Sequence, residues 1–470
     1  WAPADAAPGD RLPVIFYIHG GGFTGGCGHE KHFDGPVWPT KGCVAVTINY
    51  RLGPMGFVCL PELADEAGST GNYAFLDQLA ALQWVRANIA AFGGDANNIT
   101  IMGQSAGAMS VQQLVLSPIT RGLFSKAVMS SGGGVSQMLT AKPAEAHYPF
   151  WKQVMETAGC STLTEFRALA PAQLFAAWDA VRTQPQFKGM GCEPVVDGRF
   201  QVKTGPETLA ADEQHHIPYL IGFTSEDIVP PYLYQMAQDW CARNADSYGW
   251  FFDRQLPGDD RGAWHSSDLW YWFGTLAHSW RPFTEKDTAL SAQMVDYLTN
   301  FAKTGNPNGT DLPQWQTVTA QQTDFLRLGE EPTHMGSVDV QKLLWTMQNV
   351  PAVGEKAPAR ITSNPRKNNI PRCRRAITRF AAGDILCSLL QIIPNADGIC
   401  QCPADGHTEP DAGTPQRQGK QQDILCNGSL GQTVLHGDYF LLFLSQTFQQ
   451  NFARYSLGVQ CLISRKVLMK

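Results

Sequence analysis

Several things are missing from this 470-residue chain, and each absence narrows what it does. No apolar run approaches the roughly 18 residues of a membrane-spanning helix. The longest candidate, "YFLLFLSQTF" (439–448), is too short and is broken by polar residues, so no membrane span is expected. There is no excess of positive charge: the formal net charge is −6, which argues against a general nucleic-acid surface. The opening stretch "WAPADAAPGDRLPVIFYIHG" has no initiator methionine, basic n-region or apolar h-region. It runs almost at once into a strand-like segment, as though an upstream piece were missing. No internal repeat is evident. Of the 12 cysteines, the first six (Cys27, Cys43, Cys59, Cys160, Cys192, Cys241) show no metal-like spacing. Cys400 and Cys402 with His407 form too sparse a set for a metal, and none is expected. Cys43 lies in the apolar run "CVAVTINY" and is expected to be a buried free thiol. Unpaired thiols in a large chain fit a reducing, cytoplasmic compartment better than a disulfide scaffold, with secretion left open by the unusual start.

What is present is the composition of a soluble globular protein: 43% hydrophobic, 17% charged and 10% aromatic. Five short apolar runs read as strands buried on both faces of a mostly parallel sheet: "VIFYIHG" (14–20), "CVAVTINY" (43–50), "ITIMG" (99–103), "AVMSS" (127–131) and "YLIGFT" (219–224). Helical stretches alternate with them. In "FLDQLAALQWVRANIAAF" (75–92), Leu76, Leu79, Leu82, Val85 and Ile89 recur at helical spacing, and the glycines of "FGGD" close the helix. Such alternation predicts a doubly wound α/β sheet flanked by helices. Residues 138–216 and 229–247 fall outside the strand rhythm and read as helical insertions over the sheet's carboxyl edge, where ligands bind in such folds. A late helix over 283–305 stops at Gly305 and Pro307. After about Lys356 the character changes. Residues 357–470 hold 13 Lys and Arg against 7 Asp and Glu, lose both periodicities, and read as linker-like or unrelated sequence.

The chemistry-bearing residues fall along the first part. "ITIMGQSAGAMS" (99–110) places Ser105 between a strand and a helix, inside Gly-x-Ser-x-Gly. Alone the motif is weak, because roughly a quarter of one match is expected by chance in so glycine-rich a chain. Its context is that of a nucleophile elbow, where Gly103 and Gly107 permit a sharp turn and the helix N-terminus favours developing negative charge. "HGGGF" (19–23) follows the first strong strand, as an oxyanion loop does; the N–H groups of Gly21 and Gly22 would converge with that of Ala106 on a carbonyl oxygen. An acid is expected past a later strand, and "YLIGFTSEDIVPP" supplies both Glu226 and Asp227. Among 11 histidines, His265 in "GDDRGAWHSSDLWYWFG" and His278 follow that acid before the late helix. His265 has a nearby glycine and an aromatic wall that suit a positioned imidazole. Phe23, Trp264, Trp270 and Trp272 are candidate walls of a substrate pocket.

The stretch "GNYAFLDQLAALQWVRANIAAFGGDANNITIMGQSAG" (71–107) resembles the type-B carboxylesterases, the carboxylesterase and cholinesterase family of the α/β-hydrolase fold. "HGGGF", "NYRLGPMGF" (49–57), "GAWHSSD" and "NFAKTGNPNG" (300–309) are further matches, and the resemblance runs from residue 1 to about 350. The short His loop and unpaired cysteines look closer to bacterial, para-nitrobenzyl-esterase-like members. The resemblance implies Ser105 as nucleophile, His265 as base, and Gly21, Gly22 and Ala106 as oxyanion hole. The acid departs from the family pattern Gly-x-x-x-Asp-Glu-Gly. Here Gly222 is followed by "FTSEDI", which puts Asp227 at the Glu position and leaves Glu226 as the alternative.

So read, the chain is an α/β-hydrolase catalytic domain over 1–356, N-terminally truncated relative to the family, with an atypical extension over 357–470. The implied activity is hydrolysis of small to medium, fairly apolar esters through an acyl-enzyme, with no cofactor. The implied partner is a small ester rather than nucleic acid, and no oligomeric state follows.

Overall fold

The computed structural model describes residues 1–135 and 140–349. The expectations for 357–470, with Cys400, Cys402 and His407, lie outside the described residues, as do the first residues (138–139) of the first insertion.

Each apolar run read as a strand is one. The elements are β1 (Leu12–Ile18), β2 (Val44–Thr47), helix α1 (Tyr73–Asn88), β3 (Gly94–Gln104), helix α2 (Ala106–Leu116), β4 (Lys126–Ser130) and β5 (Tyr219–Thr224). They continue with helix α3 (Pro230–Arg243), β6 (Ser247–Phe252), helix α4 (Glu285–Thr304), β7 (Phe325–Leu328) and β8 (His334–Gly336). The sheet runs β8-β7-β6-β5-β4-β3-β1-β2, parallel throughout except for the antiparallel pairing of β7 with β8. Its inner strands are apolar on both faces because helices cover both; β1 from Val14 to Ile18 is entirely buried. One side packs Phe16 and Ile101 with α1 and α2, and the other packs Tyr17, Met102 and Trp250 with α4.

Helix α1 buries Leu79, Leu82 and Val85, with Ile89 just past its end, each worth about 1.5–3 kcal/mol of transfer free energy. A short 3-10 turn (Ile89–Phe92) continues it to Gly93, which closes it in the left-handed conformation at φ 80°. Helix α4 starts on a capping box, in which the Asp287 carboxyl accepts from both the backbone N–H (2.8 Å) and hydroxyl (2.7 Å) of Thr284. It stops at Gly305, φ 82°.

Three features differ from the sequence reading. The segment 229–247 is no insertion: α3 is the crossover joining β5 to β6, two parallel neighbours. The strand β6 itself, "SYGWFF", was hidden because its buried side chains are aromatic rather than β-branched and show no alternation. Strand β3 begins at Gly94, five residues before the apolar run, because Leu12 pairs with Gly94 ahead of the main register. By contrast the stretch after β4 does leave the sheet rhythm, forming helices at Tyr148–Thr157, Leu163–Arg167, Pro171–Arg182 and Gly205–Ala210. Cys43 is a buried free thiol, and burial pushes its pKa up to about 11.

Four loops leave the carboxyl ends of parallel strands: 19–25 after β1, Ser105 after β3, 225–229 after β5 and 253–268 after β6. In an open parallel sheet that edge is where chemistry collects.

Candidate active site

Ser105 sits at φ 57° and ψ −126°, a backbone conformation that costs a non-glycine residue about 1–3 kcal/mol. The surroundings impose it. The ladder between β3 and β4 reaches Gln104 opposite Ser130, and Ser105 N–H still donates to the Ser130 carbonyl at 2.9 Å. The chain must then reverse at once into α2, which lies hard against the sheet. A Cβ on Gly103 would stand 2.2 Å from the Gly107 carbonyl, and one on Gly107 would stand 2.0 Å from the Ile18 carbonyl oxygen. Those two glycines let strand and helix touch backbone to backbone, and the serine between them is thrust out at the N-terminus of an 11-residue helix.

The loop after β1 is coiled by hydrogen bonds from the N–H groups of Thr24 and Gly25 to the Gly21 carbonyl (3.1 and 3.0 Å). Gly21 takes φ 113°, and a Cβ there would fall 2.2 Å from the Gly25 carbonyl oxygen. The loop's base is braced by His19, whose ring stacks on Tyr50 at 4.5 Å and whose carbonyl accepts from the Tyr50 hydroxyl at 2.8 Å. Burial lowers the His19 pKa. Among the described residues, the N–H groups of Gly21, Gly22 and Ala106 donate to no protein acceptor.

His265, on the loop after β6, lies between two partners. Its Nε2 is 2.8 Å from Ser105 Oγ and its Nδ1 is 2.6 Å from Asp227 Oδ1. The Gln104 amide nitrogen also approaches Nε2, at 3.3 Å. Asp227 is buried and saturated with donors. Its Oδ2 accepts from Ser131 Oγ (2.6 Å), Thr224 Oγ1 (3.0 Å) and Thr224 N–H (3.2 Å), and its Oδ1 also accepts from Ile228 N–H (2.8 Å). Burial opposes ionisation of this carboxyl, but His265 and the hydroxyl and amide donors outweigh it, so its pKa is lowered. The imidazole shows the mirror effect: burial works against the cation, while the charge of Asp227 and the bond to it raise the His265 pKa above its ordinary value. An imidazole held this way, with its Nδ1 proton on a carboxylate, has a free lone pair on Nε2 to withdraw the Ser105 proton.

Glu226 points elsewhere. Its Oε2 accepts from Ala263 N–H at 2.7 Å and from the Ser225 hydroxyl. His278, the other histidine weighed as a base, is exposed and bonds the Lys31 carbonyl through Nδ1 at 3.2 Å.

The four aromatic residues taken as pocket walls are placed unevenly. Phe23 is buried edge-on to Phe57 and Phe75, and Trp270 is buried with the His32 ring tilted against it, centroids 4.1 Å apart. Trp272 is core rather than wall: it is 1% exposed, packs edge-on against Trp250 and donates from Nε1 to Asp268 at 3.1 Å. Trp264 is half-buried, with the Arg261 guanidinium 4.7 Å above its ring.

The sequence reading passed over three contributors. Ser131 and Thr224 buttress Asp227 from the ends of β4 and β5; their signal was a hydroxyl residue closing each apolar run. Asp268, three residues past His265, is a second buried carboxyl. It accepts from Ser130 Oγ at 3.0 Å, and burial first, then the charge of Asp227, push its pKa up to about 6 against the Ser130 bond. Among the described residues no group of three or more His, Cys, Asp or Glu could hold a metal. Among them too, no helix is long and apolar enough to cross a membrane.

With this geometry in view, comparison with known proteins gives one family. The carboxylesterase family matches in two segments, residues 1–239 and 228–344. Human bile salt-activated lipase is 30% identical over 446 residues, covering 74% of this chain and 57% of the lipase. Para-nitrobenzyl esterase of Bacillus subtilis (strain 168) is 37% identical over 227 residues, 48% of this chain and 45% of the esterase. The chain thus spans about half the length of these curated relatives. A solved carboxylesterase from Geobacillus stearothermophilus superposes with a TM-score of 0.61 at 28% identity, covering 73% of this chain and 83% of that one. A solved PNB esterase superposes with a TM-score of 0.62 at 26% identity, covering 73% and 83%.

Proposed function

We propose, for a chain that belongs to the carboxylesterase family, hydrolysis of carboxylic esters through a covalent acyl-serine. The observation that carries this reading is the single imidazole of His265 in hydrogen-bond contact with Ser105 on one nitrogen and Asp227 on the other. Ser105 Oγ attacks the ester carbonyl as Nε2 takes its proton. The carbonyl oxygen gains negative charge within reach of the Gly21, Gly22 and Ala106 N–H groups at the head of α2; losing one such donor typically costs ~10²–10³ in rate. His265 then passes its proton to the departing alkoxide, the C–O bond breaks, and the alcohol leaves. Water, deprotonated by the same nitrogen, attacks the acyl carbon, and the proton returns to Ser105 as the acid is released.

Asp227 is the acid in this reading. It is the carboxylate that faces Nδ1, where it keeps the proton on that nitrogen and stabilises the imidazolium that forms during each step. Small to medium, fairly apolar esters are the substrates we assign, supported by the likeness to para-nitrobenzyl esterase. The catalytic unit is assigned to residues 1–356, supported by a family match that ends at 344. A reducing compartment is the setting we infer, supported by six free thiols among the described residues.

The test is hydrolysis of p-nitrophenyl acetate and butyrate by the wild type and by Ser105→Ala. The expected loss in kcat is about 10⁵–10⁶-fold, the scale at which the remaining site still acts without its nucleophile. Equal rates for the two proteins would end the proposal.

A further inference from the structure

Glu226, the carboxyl that does not face the imidazole, occupies an unusual position in the loop that carries it. The backbone N–H of Glu226 donates to the Ala263 carbonyl at 3.1 Å, and its side-chain Oε2 accepts from the Ala263 N–H at 2.7 Å. One residue thereby takes both backbone groups of Ala263, two residues ahead of His265. The segment after β5 and the segment after β6 run parallel here, with Glu226 bridged to Trp264. The preceding turn is shaped around the same side chain. Gly262 has φ 72°, and a Cβ on it would meet Glu226 Cδ at 2.6 Å. The turn that follows is closed locally, by a hydrogen bond from Ser267 N–H to the Trp264 carbonyl at 2.9 Å.

We infer that Glu226 is a positioning residue for the base: by clamping Ala263 it sets the register at which His265 reaches Asp227 and Ser105. This rests on the reading of Ser105, His265 and Asp227 given above and adds to it. Adjacent residues on an extended segment point to opposite sides. Asp227 therefore meets the imidazole while Glu226 meets the backbone that delivers it, and the two contacts fix side chain and main chain together. The clamp needs a hydrogen-bond acceptor at Oε2, not a charge. It touches neither substrate nor reacting atoms, so its effect is on kcat and on the imidazole, not on substrate binding.

The experiment compares Glu226→Ala with Glu226→Gln in the full chain on p-nitrophenyl butyrate. Active sites are counted by stoichiometric p-nitrophenol release from diethyl p-nitrophenyl phosphate. Glu226→Ala is expected to lower kcat per active site by about 10- to 100-fold, the scale of a displacement near 1 Å, with KM little changed. Its acid limb in kcat/KM should also move to lower pH, because a loosened contact with Asp227 no longer raises the His265 pKa as far. Glu226→Gln keeps an acceptor oxygen at the same reach and should restore most of the rate and the limb. A Glu226→Ala protein that is less stable, or has fewer active sites, but keeps wild-type kcat per site and the same limb would overturn the inference. Glutamine as damaging as alanine would overturn it too, since charge and not the hydrogen bond would then be at work. Failure of the underlying esterase reading is separate and shows as activity surviving in Ser105→Ala.

Discussion

Replacing Asp227 by asparagine keeps the shape of the side chain and removes its charge, and the donors around it set the cost. The carboxylate accepts from five donors: His265 Nδ1, Ile228 N–H, Thr224 N–H and the hydroxyls of Thr224 and Ser131. An amide has one acceptor oxygen. If its NH₂ takes the place of Oδ2, the two hydroxyls can rotate to accept but the Thr224 N–H faces another donor. If it takes the place of Oδ1, the Ile228 N–H is opposed instead, and His265 must accept at Nδ1. Its own proton then sits on Nε2, facing Ser105, where no lone pair remains to withdraw the serine proton. Either way one fixed backbone donor is left without a partner, at about 1–3 kcal/mol, so both orientations are populated. The first loses the charge that stabilises the imidazolium, and the second has the wrong tautomer. The expected fall in kcat is about 10³–10⁴-fold, or about 4–5.5 kcal/mol of barrier, with KM little changed.

The pH profile gives an independent check with a definite sign. The base works as neutral imidazole, so kcat/KM rises as pH climbs through the His265 pKa, which Asp227 holds above its ordinary value. Without that charge, burial is the dominant influence left, and it lowers the pKa. The acid limb of Asp227→Asn should therefore move to lower pH while the plateau drops. Stopped-flow or steady-state hydrolysis of p-nitrophenyl butyrate across the pH range, with circular dichroism to establish folding, measures both. A folded variant within about tenfold of wild type, with its limb unmoved, would refute the reasoning.

Two further outcomes are expected from packing and burial. Gly107→Ala drives a Cβ to 2.0 Å from the Ile18 carbonyl and 2.9 Å from that of His19. Backbone has to part from backbone, so a loss of about 3 kcal/mol or more is expected, together with loss of activity as the oxyanion loop shifts. Thermal melting beside specific activity tests it, and an alanine variant with normal activity would show the contact to be softer than drawn. Asp268→Asn probes the other buried carboxyl. Its folded-state pKa is raised to about 6 from 3.8, so its favourable contribution is complete below the unfolded value and is lost as pH rises through the folded one. The variant should gain stability relative to wild type between about pH 4 and pH 7, by up to roughly 3 kcal/mol. Denaturant unfolding at several pH values checks it; a constant difference would contradict the raised pKa.

Much of this molecule is legible in one dimension because its signals are local. The apolar runs at 14–20, 43–50, 99–103, 127–131 and 219–224 each fall on a strand of the sheet, and the spacing of Leu79, Leu82 and Val85 belongs to a helix on the sheet. Gly103 and Gly107, framing Ser105, announce a strand-to-helix corner because no Cβ fits at either glycine where α2 touches β1 and β3. Elements without such a signature were misread: the aromatic strand 247–252, and the crossover helix 230–243 taken for an insertion. Phe23, Trp270 and Trp272 were placed on a wall for their type, whereas all three are buried in the packing on either side of the sheet.

The two neighbouring carboxyls mark the boundary most clearly. That an acid follows β5 was written in the sequence, because chain order and strand ends are one-dimensional properties. Which of the two faces the histidine was not fixed by the residues themselves, which have the same charge and differ by one methylene; the family spacing from Gly222 favoured Asp227 and kept Glu226 as the alternative. Only the packed loops separate them: residues adjacent on an extended segment point apart, so Asp227 lies 2.6 Å from the imidazole and Glu226 holds the backbone of Ala263.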